Sequence, residues 1–202
     1  MKLLPVLVGV MVLAGCTVLP EARETFYYAL EYQSLSEIPE SAELGAVRVF
    51  EPAVSPAYDR RQIVLRGDSV RYQYLSDDMW GVELGAALQM FVERYYEDVA
   101  TFSAVRGEFD RARADYEIHS AIRRVEYVEG ETPRTRVELL LELRAAGGGR
   151  TLVRHVTDYS EPVESGAGLE RFATEVNRIM LESIADFDGE VREALGVSRN
   201  DP

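Results

Sequence analysis

From residue 25 onward, hydrophobic and polar positions fall into short runs of period two and two long runs of helical period. Phe26-Tyr27-Tyr28-Ala29-Leu30 is aromatic and strand-like, Ser34 to Glu43 with Pro39 is a polar loop, and Ala46-Val47-Arg48-Val49-Phe50 is a second strand stopped at Pro52. Gln62-Ile63-Val64-Leu65-Arg66, a turn at Gly67-Asp68 and Val70 to Leu75 predict a hairpin with Val70, Tyr72 and Tyr74 on one face. From Trp80 the period changes. Trp80, Leu84, Leu88, Phe91 and Tyr95, with Ala87 and Val92 beside them, recur at steps of three and four, so residues 78–99 are predicted to form an amphipathic helix capped by Asp77 or Asp78.

In the second half, Phe102 to Val105 is a short strand and three longer ones follow. Tyr116, Ile118 and Ile122 alternate, after which the apolar parity shifts to Val125 and Tyr127; a bulge between Ala121 and Arg124 accounts for the shift. Thr135, Val137, Leu139, Leu141 and Leu143 hold one face without a break, opposite Arg136, Glu138, Glu142 and Arg144. Gly147-Gly148-Gly149 turns the chain into Thr151 to Tyr159, giving an antiparallel meander. A second helix runs from about Gly168 to Phe187, with Leu169, Phe172, Val176, Ile179, Met180 and Ile184 facing inward, and extends or restarts through Val191 and Leu195. The order of elements predicts an α+β fold: one domain of mostly antiparallel sheet packed against two long amphipathic helices.

The first segment follows a different logic. Lys2 supplies a positive start and Leu3 to Leu13 is apolar apart from Pro5 and Gly9, which is too short to span a bilayer. Ala14-Gly15 then leads into Cys16, the one cysteine of the sequence, a pattern that resembles a lipobox. The expected organisation is a signal peptide at 1–15, a tether at 16–24 acylated on Cys16, a folded domain at 25–197 and a flexible tail at 198–202. With its cysteine consumed by lipid, the chain has no disulfide to draw on, and stability must come from packing.

Composition narrows the partners. Asp and Glu number 35 against 22 Lys and Arg, a formal net charge of −13. Nucleic-acid binding needs a clustered basic surface, and an acidic body is repelled by anionic lipid, so membrane contact is expected through the anchor alone. No metal and no cofactor are expected: the chain has two histidines, His119 and His155, both in predicted strands from which they would meet only across the sheet. Gly-x-Ser-x-Gly, Walker and dinucleotide motifs are missing from the sequence, and Asp77-Asp78 has a simpler use as a cap than as an acid–base pair. A binding or scaffolding role is the default for such a tethered domain. Two places invite a functional reading. Pro56 to Arg66 sets Tyr58, Arg60, Arg61 and Arg66 in and beside a loop ahead of a core strand, and Tyr and Arg are the residue types that anchor interfaces. Trp80 stands at a predicted helix start, where the choice lies between a core residue and a contact residue.

These residues resemble the ABC-type transport auxiliary lipoproteins, the family of paraquat-inducible protein C. The matching pieces are the lipobox, Phe26-Tyr27-Tyr28-Ala29-Leu30, the segment Tyr58 to Arg66, and Tyr72-Gln73-Tyr74 leading to Trp80 and its helix. Arg61 stands where many members have Pro, and Gly81 where Ala commonly follows the tryptophan. The resemblance implies a non-catalytic subunit beside an ATP-driven transporter and a substrate-binding protein with an MCE domain, moving lipid between membranes. On the leading reading such a subunit docks through Tyr58, Arg60, Arg61, Arg66 and Trp80, with assembly into a homo-oligomer also open. Thr17, not Asp, follows Cys16, which favours the periplasmic face of the outer membrane. The alternative is a structural or assembly lipoprotein, a pilotin or envelope scaffold without lipid cargo; neighbouring genes would separate the two.

Overall fold

The computed structural model describes residues 24–34, 44–67, 70–163 and 168–197. The signal segment, Cys16, nearly all of the tether, most of the 34–43 loop, Asp68 and the 198–202 tail lie outside the described residues. The elements are β1 (Phe26–Tyr28), β2 (Val47–Val49), β3 (Ala53–Val54), β4 (Gln62–Arg66), β5 (Tyr72–Trp80), α1 (Leu84–Val99), β6 (Val105–Arg106), β7 (Tyr116–Val128), β8 (Arg134–Ala145), β9 (Thr151–Pro162) and α2 (Gly168–Leu195).

One mixed sheet is organised around β7. Along one edge of that strand, β2, β3 and β4 lie end to end, all parallel to it, with Val47 opposite Tyr116, Ala53 opposite Ala121 and Leu65 opposite Tyr127. Along the other edge, β8 and then β9 form the long antiparallel meander expected from the alternation. The ladder between β7 and β8 shifts register between Ile122 and Arg124, where the change of parity predicted a bulge. Beyond β4 come β5, antiparallel to it, and β1, parallel to β5. The long ladders are antiparallel and the short strands pair in parallel, which no local alternation reports. The turn into β9 uses Gly147 and Gly148 at φ +81° and +78°, a region where a side chain would be strained.

Both helices cover one face of the sheet. Ile118, Ile122, Val125, Val137, Leu139, Leu141 and Leu143 meet Phe172, Val176, Ile179, Met180, Ile184 and Phe187 of α2 in a single buried core. Each such side chain contributes about 1.5–3 kcal/mol on burial. α2 is one continuous helix of 28 residues, its stripe continuing through Val191 to the partly buried Leu195.

The start of α1 differs from the sequence expectation. The helix begins at Leu84, behind Glu83, which makes no side-chain cap. Asp77 and Asp78 belong to β5, because β1 lies alongside and extends the ladder to Trp80. Asp78 accepts a hydrogen bond of 2.8 Å from the Tyr28 hydroxyl and so has a partner in the sheet rather than a helix to cap. Trp80 keeps its predicted place in the core, but from the end of a strand.

Candidate functional site

Between β3 and β4 the chain leaves the edge of β7 in a tight turn, with Tyr58 and Asp59 amides donating to the Ser55 carbonyl. The excursion folds over the sheet face opposite the helices. Tyr58 points inward and is 4% exposed. Its hydroxyl donates to Glu126 Oε2 at 2.9 Å. Glu126 is wholly buried on β7. Arg66, at the end of β4, donates through Nε to the same oxygen at 2.9 Å, and Arg136 Nη1 of β8 stands 3.8 Å from Oε1. A carboxylate this buried is tolerable only with such partners.

Aromatic rings continue the cluster outward. The Arg66 guanidinium lies 4.2 Å from the centre of the Tyr72 ring, which meets Tyr58 edge-on at 6.1 Å. Two residues along β5, Tyr74 carries the Arg60 guanidinium at 3.8 Å. Arginine stacked on tyrosine keeps its N–H edge available while its flat face is held. Burial first, then hydrogen bonds to Tyr72 and Glu126, push the Tyr58 phenol well above its ordinary value; the Glu126 hydrogen bond pushes Arg66 up and keeps it charged. The arrangement is an ion-paired platform presenting guanidinium groups and tyrosine faces.

The five docking residues expected from the sequence fall into three groups. Arg60 and Arg66 lie on this platform. Tyr58 and Trp80 are core residues, the latter 1% exposed and 5.7 Å from Phe172 of α2. A side chain with no surface offers none to a partner, so for these two a positioning role replaces contact. Arg61 is a fastener: Nε and Nη2 donate to the carbonyls of Trp80 and Gly81 at 3.1 and 2.8 Å, while its own carbonyl accepts from the Trp80 amide. Cys16 lies outside the described residues.

Sequence reasoning missed Glu126 and Arg136. Val125 and Tyr127 mark the core face of β7, so Glu126 reads as a solvated residue on the opposite one. Only the loop that brings Tyr58 across the sheet buries it. The histidines do not meet: β8 lies between their strands, with His119 opposite Glu142 and His155 opposite Leu141. His119 stacks on Phe50 at 4.5 Å, and His155 Nδ1 lies 2.9 Å from Glu190. Among the described residues no group of three or more His, Cys, Asp or Glu is placed to hold a metal, and no helix is long and apolar enough to cross a membrane.

Comparisons place this geometry among known folds. A protein from Xanthomonas campestris is similar at a TM-score of 0.69 and 18% identity, covering 85% of this chain and 97% of that one. An uncharacterized protein is similar at 0.62 and 12%, covering 84% and 99%. A hypothetical protein from Chlamydia trachomatis is similar at 0.52 and 10%, covering 73% and 98%. At these identities the likeness is one of fold. No curated protein matches the chain. The family model of the ABC-type transport auxiliary lipoprotein component matches residues 28–184, from β1 through most of α2. That match takes in well over half of the chain, and the protein belongs to the ABC-type transport auxiliary lipoprotein family.

Proposed function

We propose that this chain is a non-catalytic, lipid-anchored accessory subunit of an ABC-type transport system, docking on the system's MCE-domain substrate-binding protein during lipid transfer between membranes. The family supports the accessory role. The observation that carries the docking surface is the platform itself: Tyr58, locked on buried Glu126, fixes a turn that sets Arg60 over Tyr74 beside Arg66 over Tyr72. A rigid pair of stacked guanidinium groups on an acidic domain marks one direction for an acidic partner surface and loses little side-chain freedom on binding.

An acylated Cys16 would hold the domain at the periplasmic face of the outer membrane. Restriction near membrane-bound partners raises effective concentration, so modest contacts suffice. The test is a pull-down of the natively lipidated chain from crosslinked membranes, with mass spectrometry of proteins and extracted lipid, alongside Arg60→Glu. Recovery of an MCE protein and an ATPase with the unaltered chain, and their loss with the variant, is the expected result. Recovery of only secretion or cell-wall components would favour a structural or assembly lipoprotein instead.

A further inference from the structure

A second surface lies at the far edge of the sheet, on residues the docking platform does not use. Among the described residues the longest run of paired strands ends in β1 and β6, and the antiparallel meander ends in β9. Two of these ends are guarded. β6 is two residues long and carries Arg106, and β9 carries Arg154, Asp158, Glu161 and Pro162 along its length. Short strands, charges and proline are the usual means of keeping an edge from accepting another strand. β1 is also short, at three residues, but carries neither charge nor proline: it reads Phe26-Tyr27-Tyr28, with Phe26 51% and Tyr27 60% exposed.

The backbone of β1 is oriented for pairing. Its neighbour is β5, and the Gly81 amide donates to the Tyr28 carbonyl at 2.7 Å, so Tyr28 turns its peptide groups toward β5. By the alternation of a strand, the N–H and C=O of Tyr27 point the other way, out of the edge. There an open cleft of about 440 Å³ separates Phe26–Ala29 from α2. The helix contributes Glu170, Ala173, Thr174 and Asn177, one stripe at helical spacing with a small residue in the middle. Asn177 already accepts a hydrogen bond from the Glu31 amide at 2.8 Å, which ties strand continuation and helix together where the cleft closes.

We infer that this cleft accepts an extended, basic segment of a partner protein, added as a strand between β1 and α2. Main-chain pairing at Tyr27 supplies the register, and the exposed ring of Phe26 takes every second, apolar side chain of the segment. Charge selects the partner: Glu31 and Glu170 line the cleft, and no lysine or arginine is among its described lining residues. A segment alternating apolar residues with Lys or Arg satisfies all three features.

The test uses the full chain, purified in detergent, panned against a displayed library of random dodecapeptides. Enriched peptides are then measured by fluorescence anisotropy and by amide hydrogen exchange. Enriched sequences should alternate apolar with basic residues and should slow exchange at Tyr27. Glu170→Lys should weaken them about tenfold or more. Tyr27→Pro removes the outward N–H while sparing the ladder to β5, and should weaken binding about tenfold; Tyr27→Val, which keeps the amide, should stay within about threefold. Should Tyr27→Pro fail to fold, Glu170→Lys carries the test, because Glu170 is exposed. Enrichment of acidic peptides, binding without protection at Tyr27, or affinity unmoved by Glu170→Lys would overturn the inference.

Discussion

Of the three carboxylates buried among the described residues, Glu126, Glu142 and Asp188, the first and the last are used in opposite ways. Asp188 of α2 has both oxygens occupied: Thr101 donates to Oδ1 at 2.8 Å, and Arg192 Nε to Oδ2 at 2.7 Å. Arg192 also reaches the Thr101 hydroxyl and the carbonyl of Val99, so the end of α1 is clasped onto the last turns of α2. Glu126 of β7 concentrates its hydrogen bonds on one oxygen, from Tyr58 and Arg66, and leaves Oε1 to Arg136 at 3.8 Å. The arginine at Asp188 is 16% exposed, whereas Arg66 and Arg136 are 22% and 38% exposed. One node is turned inward and closes the fold; the other uses a buried charge to hold arginines at the surface. A buried ion pair is therefore not one kind of feature, and the exposure of the cation separates a clasp from a platform.

Removing the Trp80 ring from the core should have the largest effect. Trp80 packs on Phe172, which also meets Tyr127 on β7, so Trp80→Ala should destabilise the fold by about 3–5 kcal/mol in chemical denaturation. Asp188→Ala strands Arg192 and the buried Thr101 hydroxyl, and should lose a similar about 3–5 kcal/mol. Glu126→Ala tests the contrast directly. Arg66 and Arg136 can turn to water, which leaves the Tyr58 hydroxyl with only its longer contact of 3.5 Å to the Tyr72 hydroxyl, so the loss should be about 1–3 kcal/mol. Equal losses at Asp188 and Glu126 would erase the distinction.

Alkaline pH gives a finer probe. Burial, with hydrogen bonds to Asp78 and Glu175, pushes the phenols of Tyr28 and Tyr159 up to about 12, and Tyr58 is raised as well. The unfolded chain gives up these protons first, so their contribution is whole below the ordinary tyrosine value of about 10 and is lost as pH climbs toward about 12. The melting temperature should hold up to about pH 10 and then fall, with Tyr58→Phe flattening part of the fall. Smallest of all, Arg60→Glu should change stability by less than about 0.5 kcal/mol, since Arg60 is held by a ring and a surface carbonyl. Its effect should appear in partner recovery alone. Arg61→Glu should not be so mild, because that guanidinium fastens residues 80 and 81.

The sequence by itself determined what depends on local period. The unbroken face from Thr135 to Leu143, the α2 stripe from Phe172 to Ile184, the bulge near Arg124 and the glycine turn after β8 were all legible, because which face a residue presents is fixed by the geometry of its own element. Tertiary structure decided what depends on distant chain meeting it. β1 drew Asp77 and Asp78 out of a helix cap and into a strand, and the turn at Tyr58 made Glu126 a buried anchor although 68 residues separate them. Thr101 and Asp188 became one clasp across 87. Alternation records which side of a strand is apolar; it carries no record of which remote loop will come to lie over the polar side.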